Sequence, residues 1–570
     1  MLGLMQQQPL LVSSIIRHAA RYHGGAEVVS QMNETTRHRT TYATLERRSR
    51  RLARVLHALG VKPGDRVGTL AWNTYRHLEL FYAISGSGAV CHTINPRLAQ
   101  QDIKYIITHA GDSVLFADAS FAELTETIAP AIRGCVHAVV MMTAPEDLPE
   151  MNLPAGIALH CYETLMQAAD EDFDWPIFDE NTAGALCYTS GTTGQPKGVL
   201  YSHRSTVLHA YAANTADAFG LRAVDRMMPG APMFHAAAWS VPYTVPMVGA
   251  ALILPGRHLD PASLVTLLND ERVTMTGAVP TVWLAVLGYL GETGQRLPHL
   301  RRIFSGGSAV PRAMIEGFAG YGIEVQHGWG MTETSPLVSA FAPMPNVADC
   351  TGEPAIRVRL KQGRPVFGTE VKIVGADGQE LPWDGTAFGD LLVRGPWVCR
   401  AYLHRGDEGA ADAEGWFSTG DVATIDPNGF IELVDRSKDV IKSGGEWISS
   451  IALENIAVSH PDVAEAAVIN ARHAKWMERP LLLVVPKQGR TIDTASVLPL
   501  YDGAVAKWWF PDAVIVVDEL PHTATGKLNK LALRQRYQDH LLNLPPDSPP
   551  CVGLAQGTHV FELSQIPPET

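Results

Sequence analysis

Tyr188 to His203 reads YTSGTTGQPKGVLYSH, a run of small hydroxyl residues and interspersed glycines with a single lysine, Lys197. Glycine has no Cβ and lets the main chain approach a ligand closely, so hydroxyls, backbone N–H groups and one ammonium group together make a cradle for phosphate oxygens. Two other chemistries fail on spacing. A Walker loop needs G-x-x-x-x-G-K-S/T, whereas here Pro196 precedes Lys197 and Gly198 follows it. A serine-nucleophile elbow needs G-x-S-x-G, and Gly306-Gly307-Ser308-Ala309-Val310 lacks the last glycine.

The elements that must carry this loop are legible in the hydrophobic pattern. From Thr41, TYATLERRSRRLARVLHALG sets Leu45, Leu52, Val55, Leu56 and Leu59 on one helical face and stops at Gly60 before a Pro63-Gly64-Asp65 turn. The short apolar runs RVGTLAW, AVCHTIN and VLFAD then alternate with longer amphipathic stretches such as HLELFYAI, which predicts parallel βαβ units. Late in the chain the pattern changes. After Asp435-Arg436-Ser437-Lys438 the sequence predicts a helix with Ile448, Ala452 and Ile456 on one side, then strands at AAVINA, LLLVVP and AVIVV, a smaller α+β unit. The stretch from Pro545 is proline-rich and is expected to be a poorly ordered tail.

Composition bounds the answer. A chain of 570 residues with 46% apolar side chains supplies more than one core. Its formal charge of −13 disfavours a sequence-independent grip on nucleic acid. Seven cysteines without a C-x-x-C pair suggest neither a disulfide framework nor a zinc site, and a reducing, cytoplasmic setting is expected. The N-terminal segment has no basic region ahead of its apolar residues, and VPMVGAALILP is far short of a membrane span, so no transmembrane segment is expected.

Thr189 to Gly198 match, position by position, the phosphate loop [ST]-[ST]-G-[ST]-T-G-x-P-K-G of the adenylate-forming (ANL) superfamily. Further segments of that superfamily follow in order: APMFH from Ala231, SGGSAV from Ser305, GWGMTET from Gly328, STGD ending at Asp421, DRSKD from Asp435, KSGGEWIS from Lys442 and PHTATGK ending at Lys527. The chain resembles the fatty acyl-CoA synthetases of medium- and long-chain type, from about residue 10 to about residue 540.

The resemblance implies a large α/β N-terminal domain, residues 1–437, of parallel βαβ sheets with a small β subdomain. A smaller, mobile α+β C-terminal domain, 438–544, would turn about a hinge at Lys438, and 545–570 would be the tail. The implied reaction has two steps: a carboxylate attacks the α-phosphate of ATP to give acyl-adenylate and diphosphate, then the CoA thiol displaces AMP. A medium- or long-chain fatty acid is the expected substrate. The alternatives are an aromatic, branched or sulfur-containing acid, or a nucleotide-binding regulator without catalysis. A luciferase-like oxygenase shares nearly every motif, while too few residues follow Lys527 for a carrier-protein module.

Residue roles carry over by similarity. The catalytic set is Lys197, His235, Glu333, Lys442 and Lys527, with Thr189 and Glu333 helping to hold Mg²⁺. The nucleotide set adds Ser190, Gly191, Thr192, Thr193, Gly194, Gly306, Gly307, Ser308, His327, Gly328, Trp329, Gly330, Met331, Thr332, Asp421 and Arg436, the last two on the ribose. His235 and the gating indole Trp239 mark the acid pocket, where Ala236, Ala237 and Ala238 leave room and no charged side chain greets a polar acid. Ser443, Gly444, Gly445, Glu446 and Trp447 would meet CoA. A homodimer is implied as well.

Overall fold

A computed structural model describes residues 1, 3–189, 195–348, 350–375, 377–405, 410–443, 446–522 and 528–543. The chain falls into two compact units, the first built from Met1–Ser437 and the second beginning at Lys438.

In the first unit, helix Tyr42–Ala58 forms as its pattern predicts: the Thr41 hydroxyl accepts from the Thr44 amide, and Leu45, Leu52, Val55 and Leu56 are buried. Leu59 caps the helix rather than extending it, and Gly60 follows at φ +86°. Truncating one of these leucines to alanine should cost about 2–5 kcal/mol, because the cavity left behind collapses only in part. Strand Arg66–Leu70, helix Tyr75–Gly86 and strand Val90–Thr93 make the first crossover, with the two strands parallel. That helix is buried all round, which explains its weak amphipathic signal.

Among the described residues this unit holds three sheets. One runs Ala158–Cys161, Ala138–Met141, Asp112–Ala117, Arg66–Leu70, Val90–Thr93, Ala183–Tyr188 and Gly198–Ser202, parallel until the antiparallel last pair. The second is parallel through its middle, from Glu27–Gln31 to Glu324–Gly330, with antiparallel edges at Arg37–Thr41 and Leu337–Ala340. The third is a small antiparallel sheet of Glu370–Val374, Phe388–Arg394, Phe417–Ile425 and Ile431–Arg436. Strands buried on both faces read as continuous apolar runs, as AVVM and ALIL do here.

In the second unit, Val463–His473 pairs antiparallel with Met477–Pro486, which pairs parallel with Ala513–Val516. One expectation fails. Ile448 lies in strand Glu446–Ile448, and the helix starts later, at Ser450–Val458, because the Ser449 side chain accepts from the Ala452 amide and sets the cap there. VPMVGAALILP divides into helix Val241–Val248, a left-handed Gly249 and strand Ala251–Leu254. Among the described residues no helix is long and apolar enough to cross a membrane.

Candidate active site

The phosphate loop joins the antiparallel strands Ala183–Tyr188 and Gly198–Ser202, in which Tyr188 pairs with Gly198. Its two ends are tied. The Thr189 amide donates to the Lys197 carbonyl at 2.9 Å, and the Lys197 amide donates to Thr189 Oγ1 at 3.4 Å. Ser190, Gly191, Thr192, Thr193 and Gly194 lie outside the described residues. Tyr188 anchors the approach through a 2.6 Å hydrogen bond between its hydroxyl and His109 Nδ1.

Beside the loop stands Glu333, on a one-turn 3-10 helix, Thr332–Thr334, that follows strand Glu324–Gly330. Tyr201 holds this turn by donating to the Thr332 carbonyl at 2.7 Å. Glu333 is only 7% exposed, and a carboxylate so placed needs a donor. Tyr402 supplies one: its hydroxyl donates to Glu333 Oε1 at 2.8 Å, while Lys197 Nζ lies 4.9 Å from the centre of the same ring. The structure therefore brings Lys197 and Glu333 together around a tyrosine that sequence reasoning did not single out.

The segments expected beside the nucleoside carry glycine for steric reasons. A Cβ on Gly306 would overlap the Gly328 carbonyl, one on Gly328 would overlap the Phe304 ring, and one on Gly330 would overlap the Pro336 carbonyl. Gly307 sits at φ +84°, where glycine is favoured, and Ser308 is exposed. His327 is buried with Nδ1 3.0 Å from the Leu360 carbonyl, and burial pushes its pKa down to about 4, so the ring is neutral. Trp329 packs with Val338, Ile373, Leu391 and Phe417 against the small antiparallel sheet, with Met331 beside it and Thr332 buried next in the chain. Asp421 and Arg436 face each other across neighbouring strands, Arg436 Nε standing 2.8 Å from Asp421 Oδ1.

His235 and Trp239 belong to an unusual turn. Ala236, Ala238, Trp239 and Ser240 all have positive φ, from 39° to 71°, a left-handed run that costs L-residues about 1–2 kcal/mol each. Trp239 packs edge-on to Phe304 at 6.2 Å, and His235 is half-buried. Asn73 holds the segment before the turn. Its amide donates to the Pro229 and Ala231 carbonyls, and its oxygen accepts from the Met233 amide at 2.6 Å. Nothing in the local sequence around Asn73 signals that task. Nearby, Tyr201, Thr206, His209, Ser240, Tyr243 and Ser335 border a small cavity.

In the second unit, Lys442 and Ser443 lie on strand Ile441–Ser443, paired with Glu446–Ile448, which carries Glu446 and Trp447. Lys442 is exposed and its amide donates to Glu478 Oε2 at 2.8 Å, while Ser443 Oγ accepts from Arg479 at 3.2 Å. Gly444, Gly445 and Lys527 lie outside the described residues.

Two family models match: "AMP-binding enzyme" over residues 16–403 and "AMP-binding enzyme C-terminal domain" over residues 452–527. The chain belongs to the AMP-binding enzyme family. This AMP-binding enzyme is 50% identical to the 3-methylmercaptopropionyl-CoA ligase of Ruegeria lacuscaerulensis, over 95% of its own length and 100% of the relative's. It is 47% identical to the medium-chain-fatty-acid–CoA ligase of Ectopseudomonas oleovorans, over 95% and 98%. Among solved structures, ATP-bound MatB from Rhodopseudomonas palustris superposes with a TM-score of 0.77 at 26% identity, covering 93% of this chain and all of MatB. The chain is an enzyme of the acid–thiol ligase class, an AMP-forming acyl-CoA ligase that works through an acyl-adenylate.

Proposed function

We propose that this ligase activates a linear, unbranched, apolar carboxylic acid of short to medium length. The observation that carries the reading is the wall from Met233 to Tyr243, which holds no Asp, Glu, Lys or Arg and is lined by buried Met233, Phe234, Ala236, Ala238 and Tyr243. The acids named for the two curated relatives, a methylthio-propionate and a medium-chain fatty acid, share one shape, since a thioether sulfur stands where a fatty chain has a methylene. Each further buried methylene should contribute about 0.8 kcal/mol, so affinity climbs in roughly fourfold steps until the pocket ends.

In this reading Lys197 and the loop donors stabilise charge that builds on the phosphate oxygens as the carboxylate attacks, with no reorganisation needed at that moment. His235 lies beside the reacting carboxylate and Trp239 gates the pocket. Asp421 accepts from the ribose hydroxyls and Arg436 orients it; neutral His327 and the Gly306, Gly328 and Gly330 backbone shape the base side. Lys527 serves adenylation, and the second unit then turns about Lys438 to bring Lys442 and the Ser443 to Trp447 segment to the thiol.

A magnesium ion fits the donors present. Among the described residues no group of three or more His, Cys, Asp or Glu could hold a metal, so an ion here would take Glu333, Thr189 and substrate oxygens, the usual mode for Mg²⁺. When bound it would neutralise phosphate charge. A cytoplasmic setting, which the free thiols among the described cysteines support, and a homodimer, checked by sedimentation, complete the proposal.

The test is an acid panel assayed by diphosphate release: 3-(methylthio)propionate, pentanoate, octanoate, palmitate, isobutyrate and benzoate. The isosteric first pair should fall within about tenfold of one another and octanoate at or above them, the added methylenes being buried. A preference for benzoate or isobutyrate overturns the linear-acid reading.

A further inference from the structure

We propose that Tyr402 is a positioning residue, whose hydroxyl orients Glu333 and whose ring parks Lys197 until nucleotide phosphates replace it. The proposal rests on the adenylation roles given above to Lys197 and Glu333.

The geometry is specific. One side chain touches both groups: the hydroxyl donates to Glu333 Oε1 at 2.8 Å, and Lys197 Nζ sits over the ring at 4.9 Å. A carboxylate held at Oε1 leaves Oε2 for a cation and cannot turn freely. An ammonium over an aromatic face is attracted by the ring quadrupole, a contact weak enough for phosphate oxygens to displace.

The segment carrying the ring is stapled to the same two elements. Ser335 Oγ donates to the Trp397 carbonyl at 2.8 Å, and Trp397 Nε1 donates to the Leu337 carbonyl at 3.0 Å. The Cys399 amide donates to the Glu333 carbonyl at 2.7 Å, and the Leu403 amide to the Gly198 carbonyl at 2.9 Å. These bonds reach the turn that bears Glu333, the strand Leu337–Ala340 that follows it and the strand that leaves Lys197. Tyr402 is thus fixed relative to both of its clients, which is what orienting a reactive group requires.

Calorimetric titration of the full-length enzyme with ATP, in EDTA and in magnesium, separates the two functions of the side chain. In wild type, magnesium should tighten ATP binding. Tyr402→Phe keeps the ring, so ATP affinity in EDTA should stay within about twofold of wild type, while about tenfold of the magnesium-dependent tightening is lost with the hydroxyl. Tyr402→Leu should also weaken binding in EDTA. Glu333→Gln should lose the tightening by itself, and Tyr402→Phe added to it should cost nothing further, because the hydroxyl then has no carboxylate to orient. Full magnesium tightening in Tyr402→Phe, or additive losses in the double variant, overturns the proposal. Should Tyr402→Leu fail to fold, the phenylalanine and glutamine variants decide the question without it. Wild type showing neither magnesium tightening nor diphosphate–ATP exchange would instead bring down the roles of Glu333 and Lys197, and this proposal with them.

Discussion

Two stretches of the first unit meet unusual backbone demands in opposite ways. The wall formed by Gly306, Gly328 and Gly330 brings main chain against main chain or ring, and glycine removes the atom that would collide. The turn Ala236–Ser240 instead leaves the ordinary regions of φ, and it does so with alanines, a tryptophan and a serine. Glycine makes the wall's geometry the relaxed one and so fixes it. The turn stores strain that surrounding packing must hold, and stored strain of this kind gathers at parts that switch between conformations. A fixed wall beside a loaded turn is what the gating role proposed for Trp239 requires.

The sharpest way to break this comparison is to fill the wall. Gly330→Ala should cost about 3 kcal/mol or more, since backbone rather than a flexible side chain must move aside, and most soluble yield should be lost. A denaturation midpoint near wild type would show the wall to be soft. Next in size is chemistry. Lys197→Ala should lower the rate of diphosphate–ATP exchange by about 10²- to 10³-fold with little change in thermal stability. A parallel loss of stability would move Lys197 from the site to the scaffold.

A third test uses pH. Burial lowers His77, His203 and His327 to about 4, against an ordinary value of 6.5. It lowers His209 to about 3. The unfolded chain takes up protons at these rings near pH 6.5, whereas the folded chain resists until near 4, so the stability present above pH 6.5 is lost as pH falls through that window. Each such ring contributes a slope of about 1.4 kcal/mol per pH unit inside it. Denaturant midpoints measured from pH 7.5 to 4.5 should decline steeply, and His327→Gln, in the wall strand, should flatten the decline. An unchanged slope would mean that His327 is protonated in place.

The smallest effect belongs to the turn. Ala238→Gly and Ser240→Gly each relieve a left-handed residue, and after the entropy cost of glycine each should stabilise the protein by about 0.5 kcal/mol. Destabilisation by either would remove the strain on which the comparison depends. The same substitutions in an unstrained helix, such as Ala53→Gly in Tyr42–Ala58, should destabilise by about 1 kcal/mol and provide the reference.

What was legible in the sequence follows a common rule. The helix over Tyr42–Ala58 and the crossover from Arg66 were readable because each depends on residues a few positions apart, through periodicity, a cap or a turn. Ile448 was misplaced on a helix because an apolar residue before a serine cap fits a strand end equally well, and only pairing with Ile441 decides it. Trp329 was expected in the nucleotide set, but its local sequence gives no notice of the small sheet it packs against.

The sequence by itself determined the chemistry available: a phosphate cradle with one lysine, an acid in GWGMTET, and strands and helices in βαβ order. Only tertiary structure decided which of these groups meet. Tyr402 and Glu333 stand 69 positions apart in sequence and Asn73 reaches a segment 160 positions away, and no local pattern encodes such pairs. They form because burying a carboxylate or a backbone amide without a partner is costly, and the folded chain places each donor where a distant segment leaves an acceptor.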